Sequence, residues 1–274
     1  MKRRWFLARL AMGGLALPAV SAAVGGCGAS SSPPEASSPE AEDVASSAVR
    51  GSKTLVVATS ANYPPYEKLE AGAEGEQIVG FDIDIARVIA AQLGRELSVV
   101  DLAFDELIPA LEDEDADMAI AALEPTRSRK QRVDFSDIYY RSQQALISLD
   151  GYLDSRDLGY HTIGVRASSV QARFADRLSE DHPDIDVIPY DTLDEVFEAL
   201  DIGAVEAAIL EVNVAKTYLK DYPEFGLTVM QDDRPKGSAI AIPKNSPLRQ
   251  DINDAILKIK SSGEMSQLID KWFS

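Results

Sequence analysis

Hydrophobic positions along this chain switch repeatedly between two periods. Residues 54–59 form a continuous β-branched and apolar run that ends in the turn residues Ser60-Ala61-Asn62, the pattern of a buried strand. Residues 82–93 instead place Ile85, Val88, Ile89 and Leu93 on one helical face, with Gly94 as a stop. Strands over 98–102 and 118–123, a short helix over 105–111 and a polar helix through Arg129 continue the alternation. The pattern then restarts. Strands are expected at 145–148, 162–165, 187–190, 207–210 and 238–242. Helices are expected at 169–178, around Leu193, Val196, Phe197 and Leu200, and at 213–219, 248–260 and 265–272. This alternation predicts an α/β protein with mainly parallel sheets covered by helices. No sequence repeat accompanies it.

The first 26 residues belong to neither pattern. Lys2, Arg3, Arg4 and Arg9 precede an apolar stretch from 10 to 23 that is too short and too broken for a membrane-spanning helix, so it is a secretory signal. Arg3-Arg4-Trp5-Phe6-Leu7 is similar to a twin-arginine export signal, although an ordinary basic start explains it as well. The stretch ends in Val24-Gly25-Gly26-Cys27, which resembles a bacterial lipobox. Cys27 is the only cysteine and has no intramolecular partner. It is therefore the expected lipidation site and mature N-terminus, the alternative being a signal peptide with a chance cysteine. Residues 28–51 are rich in Ser, Ala, Pro and Glu and hold almost nothing to bury, as in a flexible tether. About 220 residues remain, enough for two small lobes.

The net charge is −18, from 27 basic and 45 acidic residues. Such a chain is a poor partner for nucleic acid. One lipidated cysteine and two scattered histidines, His161 and His182, form no metal-ligand cluster, and no phosphate-binding glycine loop is present. No cofactor is expected.

Several segments resemble one family in order along the chain. They are Asn62-Tyr63-Pro64-Pro65-Tyr66-Glu67, Gly80-Phe81-Asp82-Ile83-Asp84-Ile85-Ala86, Phe104-Asp105-Glu106-Leu107-Ile108-Pro109-Ala110-Leu111, residues 117–129, Val133-Asp134-Phe135-Ser136-Asp137 with Tyr139-Tyr140, Ile163-Gly164-Val165 and residues 203–211. Together they are similar to the type II periplasmic binding proteins for polar amino acids, solute-binding family 3. The resemblance implies a two-lobed periplasmic-binding-protein fold whose hinge is two crossover strands, near Gln144 and near Gly237. Lobe one would be 52–142 with 237–274, and lobe two 143–236. It further implies a monomeric receptor, not an enzyme, that is exported, held at the membrane by lipid, and hands a free amino acid to the permease of an ABC importer.

A buried amino acid needs partners for its carboxylate, ammonium and side chain. Arg129, just after the 118–123 strand, is the expected carboxylate clamp; a solvated helix arginine is the alternative. Glu211, at the end of the 207–210 strand, is the expected ammonium partner; a solvated loop acid is the rival. Tyr63, Tyr66 and Phe104 are expected side-chain walls, with core packing a serious rival for Tyr66. The resemblance adds Ala122, Ser168 and Ser169.

Two positions depart from the family. Glu124 stands where a small hydroxyl residue is usual, and Ala167-Ser168-Ser169-Val170 replaces a Gly-Thr-Thr or Gly-Ser-Thr loop. Glu124 and Glu211 favour a cationic side chain, arginine before lysine, stacked on Tyr63 or Phe104, with a neutral polar amino acid next. The rival of another class is a cyclohexadienyl or arogenate dehydratase on the same fold, with Glu124 or Glu211 as general acid. No histidine lies in a matching motif.

Overall fold

The computed structural model describes residues 53–72, 75–149, 151–153, 158–230 and 237–274. The signal stretch, Cys27 and the tether lie outside the described residues.

In chain order the first group of elements is β1 (Thr54–Thr59), β2 (Asn62–Tyr63), β3 (Glu67–Gly72), β4 (Gly75–Val79), α1 (Phe81–Gln92), β5 (Glu96–Asp101), α2 (Leu107–Glu112), β6 (Met118–Ala119), α3 (Arg127–Arg132) and β7 (Asp134–Arg141). The second is β8 (Gln144–Leu149), β9 (Thr162–Arg166), α4 (Val170–Asp181), β10 (Asp186–Tyr190), α5 (Leu193–Asp201), β11 (Ala207–Glu211), α6 (Val212–Tyr218) and β12 (Phe225–Val229). The chain closes with β13 (Gly237–Ile242), α7 (Leu248–Ser261) and α8 (Glu264–Phe273).

Two five-stranded sheets result, ordered β5-β1-β6-β13-β7 and β10-β9-β11-β8-β12, beside a small sheet β2-β3-β4. Each lobe is thus built on one sheet, and the chain passes from the first to the second between Arg141 and Gln144. It is back in the first at Gly237.

The sheets are mixed rather than mainly parallel. β1 runs parallel to β5 and β6, and β9 parallel to β10 and β11. β13 is antiparallel to β6 and β7, and β8 antiparallel to β11 and β12. The crossings cause this. A strand that enters a lobe from the other lobe starts at the side where the other strands end, so it must run against them. Apolar periodicity says nothing about strand direction.

Local chemistry sets the boundaries. α1 stops at Leu93, and Gly94 follows in the left-handed region at φ 66°, where glycine avoids a Cβ clash. α5 begins with a capping box between Thr192 and Glu195. α7 buries Leu248, Ile252, Ala255, Ile256 and Ile259 along one stripe. Ladder pairing in β6 ends at Ala119, short of the expected 118–123 strand, and Ala122 takes φ 49°. The chain still stays buried through Ile120, Ala121 and Leu123.

Strands β2, β3, β4, β7 and β12 carry no apolar run of their own. β3 and β4 are half-exposed ribbons, and β7 mixes Asp, Ser and Tyr with apolar residues. α8 returns to the front of α1: Phe273 packs against Tyr66, Phe81 and Tyr140 at ring-centroid separations of 5.1, 4.6 and 4.9 Å. Asp84 fastens that contact by accepting from Lys271 Nζ at 2.7 Å and Trp272 Nε1 at 2.8 Å. Each fully buried aromatic ring in this cluster contributes roughly 1.5–3 kcal/mol by leaving water.

Candidate functional site

The ends of four parallel strands meet one cavity. Phe104 follows β5, Ala122 and Glu124 follow β6, Arg166 ends β9 and Glu211 ends β11. Tyr63 from β2, Arg129 from α3, Ser169 to Gln171 at the start of α4, and Ser142, Gln144, Gly237 and Ser238 beside the two crossings complete the lining. Loops at the carboxyl ends of parallel strands are where such sheets present ligand contacts. At Gly237 a side chain is excluded, because a Cβ would stand 2.3 Å from Ile138 and 2.7 Å from the Tyr140 carbonyl of β7.

Arg129 is 9 % exposed. Its backbone N–H donates to Thr126 Oγ1, the cap of α3, at 3.3 Å. Its guanidinium donates to the Glu124 carbonyl at 3.1 Å and across to the Ser168 carbonyl at 3.3 Å, so it links the lobes. Burial, then the neighbouring Arg173 and Arg166 charges, lower its pKa to about 10, while Glu124 pulls the other way. It therefore stays charged at neutral pH.

Glu211 ends β11 and caps α6. One carboxylate oxygen accepts from Asn213 N at 3.0 Å and Val214 N at 3.1 Å. The other, Oε1, is buried and has no hydrogen-bond partner among the described residues. Burial raises the pKa to about 7 against the opposing pull of the two N–H groups and, more weakly, of the Tyr66 hydroxyl and Lys216. The Tyr66 hydroxyl is thus near this carboxyl without completing the geometry of a hydrogen bond to Oε1. A half-ionised carboxyl with an unused oxygen suits a cationic donor.

At the start of α4, Ser169 Oγ caps the helix by accepting from Ala172 N at 3.0 Å. The N-terminal end of a helix is favourable for an anion, and this one borders the cavity at Ser169, Val170 and Gln171. Gln171 Nε2 donates to Gln144 Oε1 at 2.8 Å, which ties α4 to the crossing.

The two aromatic walls are present, but the space between them is taken. Arg166 Cζ lies 4.1 Å from the Tyr63 ring centroid and 3.9 Å from that of Phe104. This is the position where sequence reasoning put a ligand guanidinium. Arg166 is 4 % exposed, and its Nη1 donates to Asn62 Oδ1 at 3.4 Å.

Behind the cavity, Asp82 and Glu67 are fully buried. Asp82 Oδ2 accepts the Ala122 N–H at 2.7 Å, and its carboxyl accepts the Tyr139 hydroxyl at 2.7–2.8 Å. Burial raises Asp82 to about 7 and Glu67 well above its usual range. Both Glu67 carboxyl oxygens are buried without a hydrogen-bond partner among the described residues, so burial favours the protonated form of this carboxyl.

Of the expected residues, Tyr63, Phe104, Ala122, Glu124, Arg129, Ser169 and Glu211 line the cavity. Tyr66 and Ser168 do not. Tyr66 is fully buried behind Tyr63, with ring centroids 5.9 Å apart. Ser168 turns the chain at φ 57° and offers its carbonyl to Arg129. Sequence reasoning passed over Arg166, Gln144 and Gln171. The available signal for Arg166 was a charge at the end of the apolar run Ile163-Gly164-Val165.

A two-lobed α/β protein with its cavity at the crossings has the architecture of a solute-binding protein. A sequence profile for bacterial extracellular solute-binding proteins, family 3, matches residues 55–274, and the chain belongs to that family. It is 33 % identical to the arginine-binding extracellular protein ArtP of Bacillus subtilis, over 82 % of this chain and 88 % of that one. The substrate-binding protein of an amino acid ABC transporter superposes with a TM-score of 0.73 at 37 % identity, over 80 % of this chain and 99 % of that one. An ancestral arginine-binding protein bound to glutamine superposes with a TM-score of 0.72 at 32 % identity, over 81 % and 98 %. The chain is thus an exported binding protein that captures an amino acid for an ABC importer, and not an enzyme.

Proposed function

We propose that the cavity holds the invariant part of a free α-amino acid between Arg129 and Glu211. Arg129 and the first N–H groups of α4 take the carboxylate, and Glu211 Oε1 takes the ammonium. Ala122, Glu124 and the Arg166 guanidinium, itself held between Tyr63 and Phe104, face the side chain. The observation that carries this reading is the unused, buried Oε1 of Glu211 in the same cavity as the buried Arg129. A zwitterion neutralises both, and a closed site rewards paired charges and penalises single ones. Relatives named for arginine, and one seen with glutamine, support an α-amino acid as ligand.

The lobes, 52–142 with 237–274 and 143–236, close on the ligand as two bodies in a monomer. Arg129 to Ser168 and Arg166 to Asn62 are cross-lobe contacts that closure makes. Cys27, preceded by small residues and followed by a Ser- and Pro-rich stretch, carries the acyl chains that hold the protein at the membrane. Thermal shift and calorimetry on residues 52–274 with the twenty amino acids test the ligand class. Stabilisation by amino acids but not by their decarboxylated or deaminated analogues is the expected result, and equal response to the analogues overturns it.

A further inference from the structure

Arg166 is a second buried cation in the cavity, and the proposed carboxylate and ammonium contacts leave it unassigned. It reaches across from β9 of one lobe to the two aromatic walls of the other and covers a face of each ring. Both stacking faces that a ligand guanidinium or ammonium would use are therefore occupied by a group of the same charge. Any cationic side chain entering there must expel Arg166 from a 4 % exposed position or lie against it inside a closed site.

Arg166 also points to what is accepted. Its Nε is buried and has no acceptor among the described residues, and the Nη1 contact to Asn62 is long at 3.4 Å. Guanidinium donors without acceptors in a desolvated site favour an incoming oxygen. Glu124 lines the same cavity and disfavours a ligand that brings a full extra negative charge. A carboxamide satisfies both, because its carbonyl accepts from Arg166 while its NH₂ donates to a carboxylate.

We infer that Arg166 determines side-chain selectivity: it fills the Tyr63–Phe104 slot, excludes cationic amino acids, and selects one whose side chain ends in an oxygen acceptor, a carboxamide before a carboxylate. This rests on the amino-acid reading of the cavity. The test is calorimetry of glutamine, glutamate, arginine, lysine and histidine against residues 52–274, as wild type, Arg166→Met and Arg166→Lys. Met keeps an unbranched stem and removes the donors and charge, whereas Lys keeps charge without the planar fork. Wild type is expected to bind glutamine at least about tenfold more tightly than arginine, and Arg166→Met to move the glutamine-to-arginine ratio toward arginine by about tenfold or more. Arg166→Lys falls between the two.

The wild-type ranking does not depend on either variant folding. Tighter binding of arginine than of glutamine by wild type overturns the inference. So does a ratio unchanged within about threefold in a folded Arg166→Met protein. Binding of none of the twenty amino acids overturns the amino-acid reading itself, and the inference with it.

Discussion

The Asp82 carboxylate accepts the backbone N–H of Ala122 at 2.7 Å, from forty residues earlier in the chain. Ala122 lines the cavity with φ 49°, a left-handed conformation that costs a non-glycine residue about 1–2 kcal/mol. One hydrogen bond from the start of α1 thus supports a backbone shape that local sequence disfavours. The groups that position the cavity are as informative as those that line it.

Arg129 and Glu211 are the residues whose loss should hurt most. Truncation of either to Ala leaves the opposite charge of a bound zwitterion unpaired in a closed site, at a cost of roughly 3–5 kcal/mol, or several hundredfold in affinity. Calorimetry is the measurement. Less than about a tenfold loss in both variants rejects the assigned roles.

Affinity should also depend on pH through Glu211. Its pKa is about 7 in the empty site, and an ammonium partner requires the carboxylate, so binding releases a proton. Affinity is therefore highest above pH 7 and falls as pH drops, approaching about tenfold per unit well below the pKa. Titrations at pH 8, 7, 6 and 5 check this. A flat profile removes Glu211 from the ammonium site.

Stability has its own pH signature in the Glu67–Asp82 pair. Both pKa values are raised on folding, Asp82 to about 7. The folded protein then holds protons that the unfolded chain has released, so the contribution is full below pH 4 and is lost as pH rises through 7. Urea unfolding of ligand-free protein should show stability falling from pH 5 to pH 8, with Glu211, raised to about 7 by burial, adding to the fall in the same direction. Asp84 and Asp134, whose pKa values are lowered, act only at more acidic pH. Glu67→Gln removes one of the two buried titrating carboxyls at nearly constant shape and should reduce the fall by about 1 kcal/mol or more. A wild-type slope in that variant means that the Glu67 carboxyl is not the group whose proton the fold retains.

Cys27 makes a prediction in cells rather than in the cuvette. Cys27→Ser should move the protein from the membrane fraction to the soluble exported fraction, because one signal and no acyl chains do not hold a protein stably at a bilayer. Membrane partition unchanged by the substitution rejects lipid anchoring at this residue.

The periods of apolar residues located the helices and eight of the ten strands in the two large sheets, missing β7 and β12, because burial of one face imposes a repeat of 3.6 or 2 that a local window contains. Strand-end polar residues, Glu211 among them, were legible for the same reason: they interrupt an apolar run where a parallel strand meets its loop. Strand direction was not legible. β13 and β8 run against their neighbours because they enter each lobe through the crossings, a property of the chain path rather than of any window. The occupant of the aromatic slot was likewise hidden. Tyr63, Phe104 and Arg166 come together only when two lobes meet, and a long flexible side chain can reach a site that its sequence neighbours do not reveal. The raised pKa values of Glu67 and Asp82 were hidden for the same reason: only tertiary packing removed both carboxyls from water.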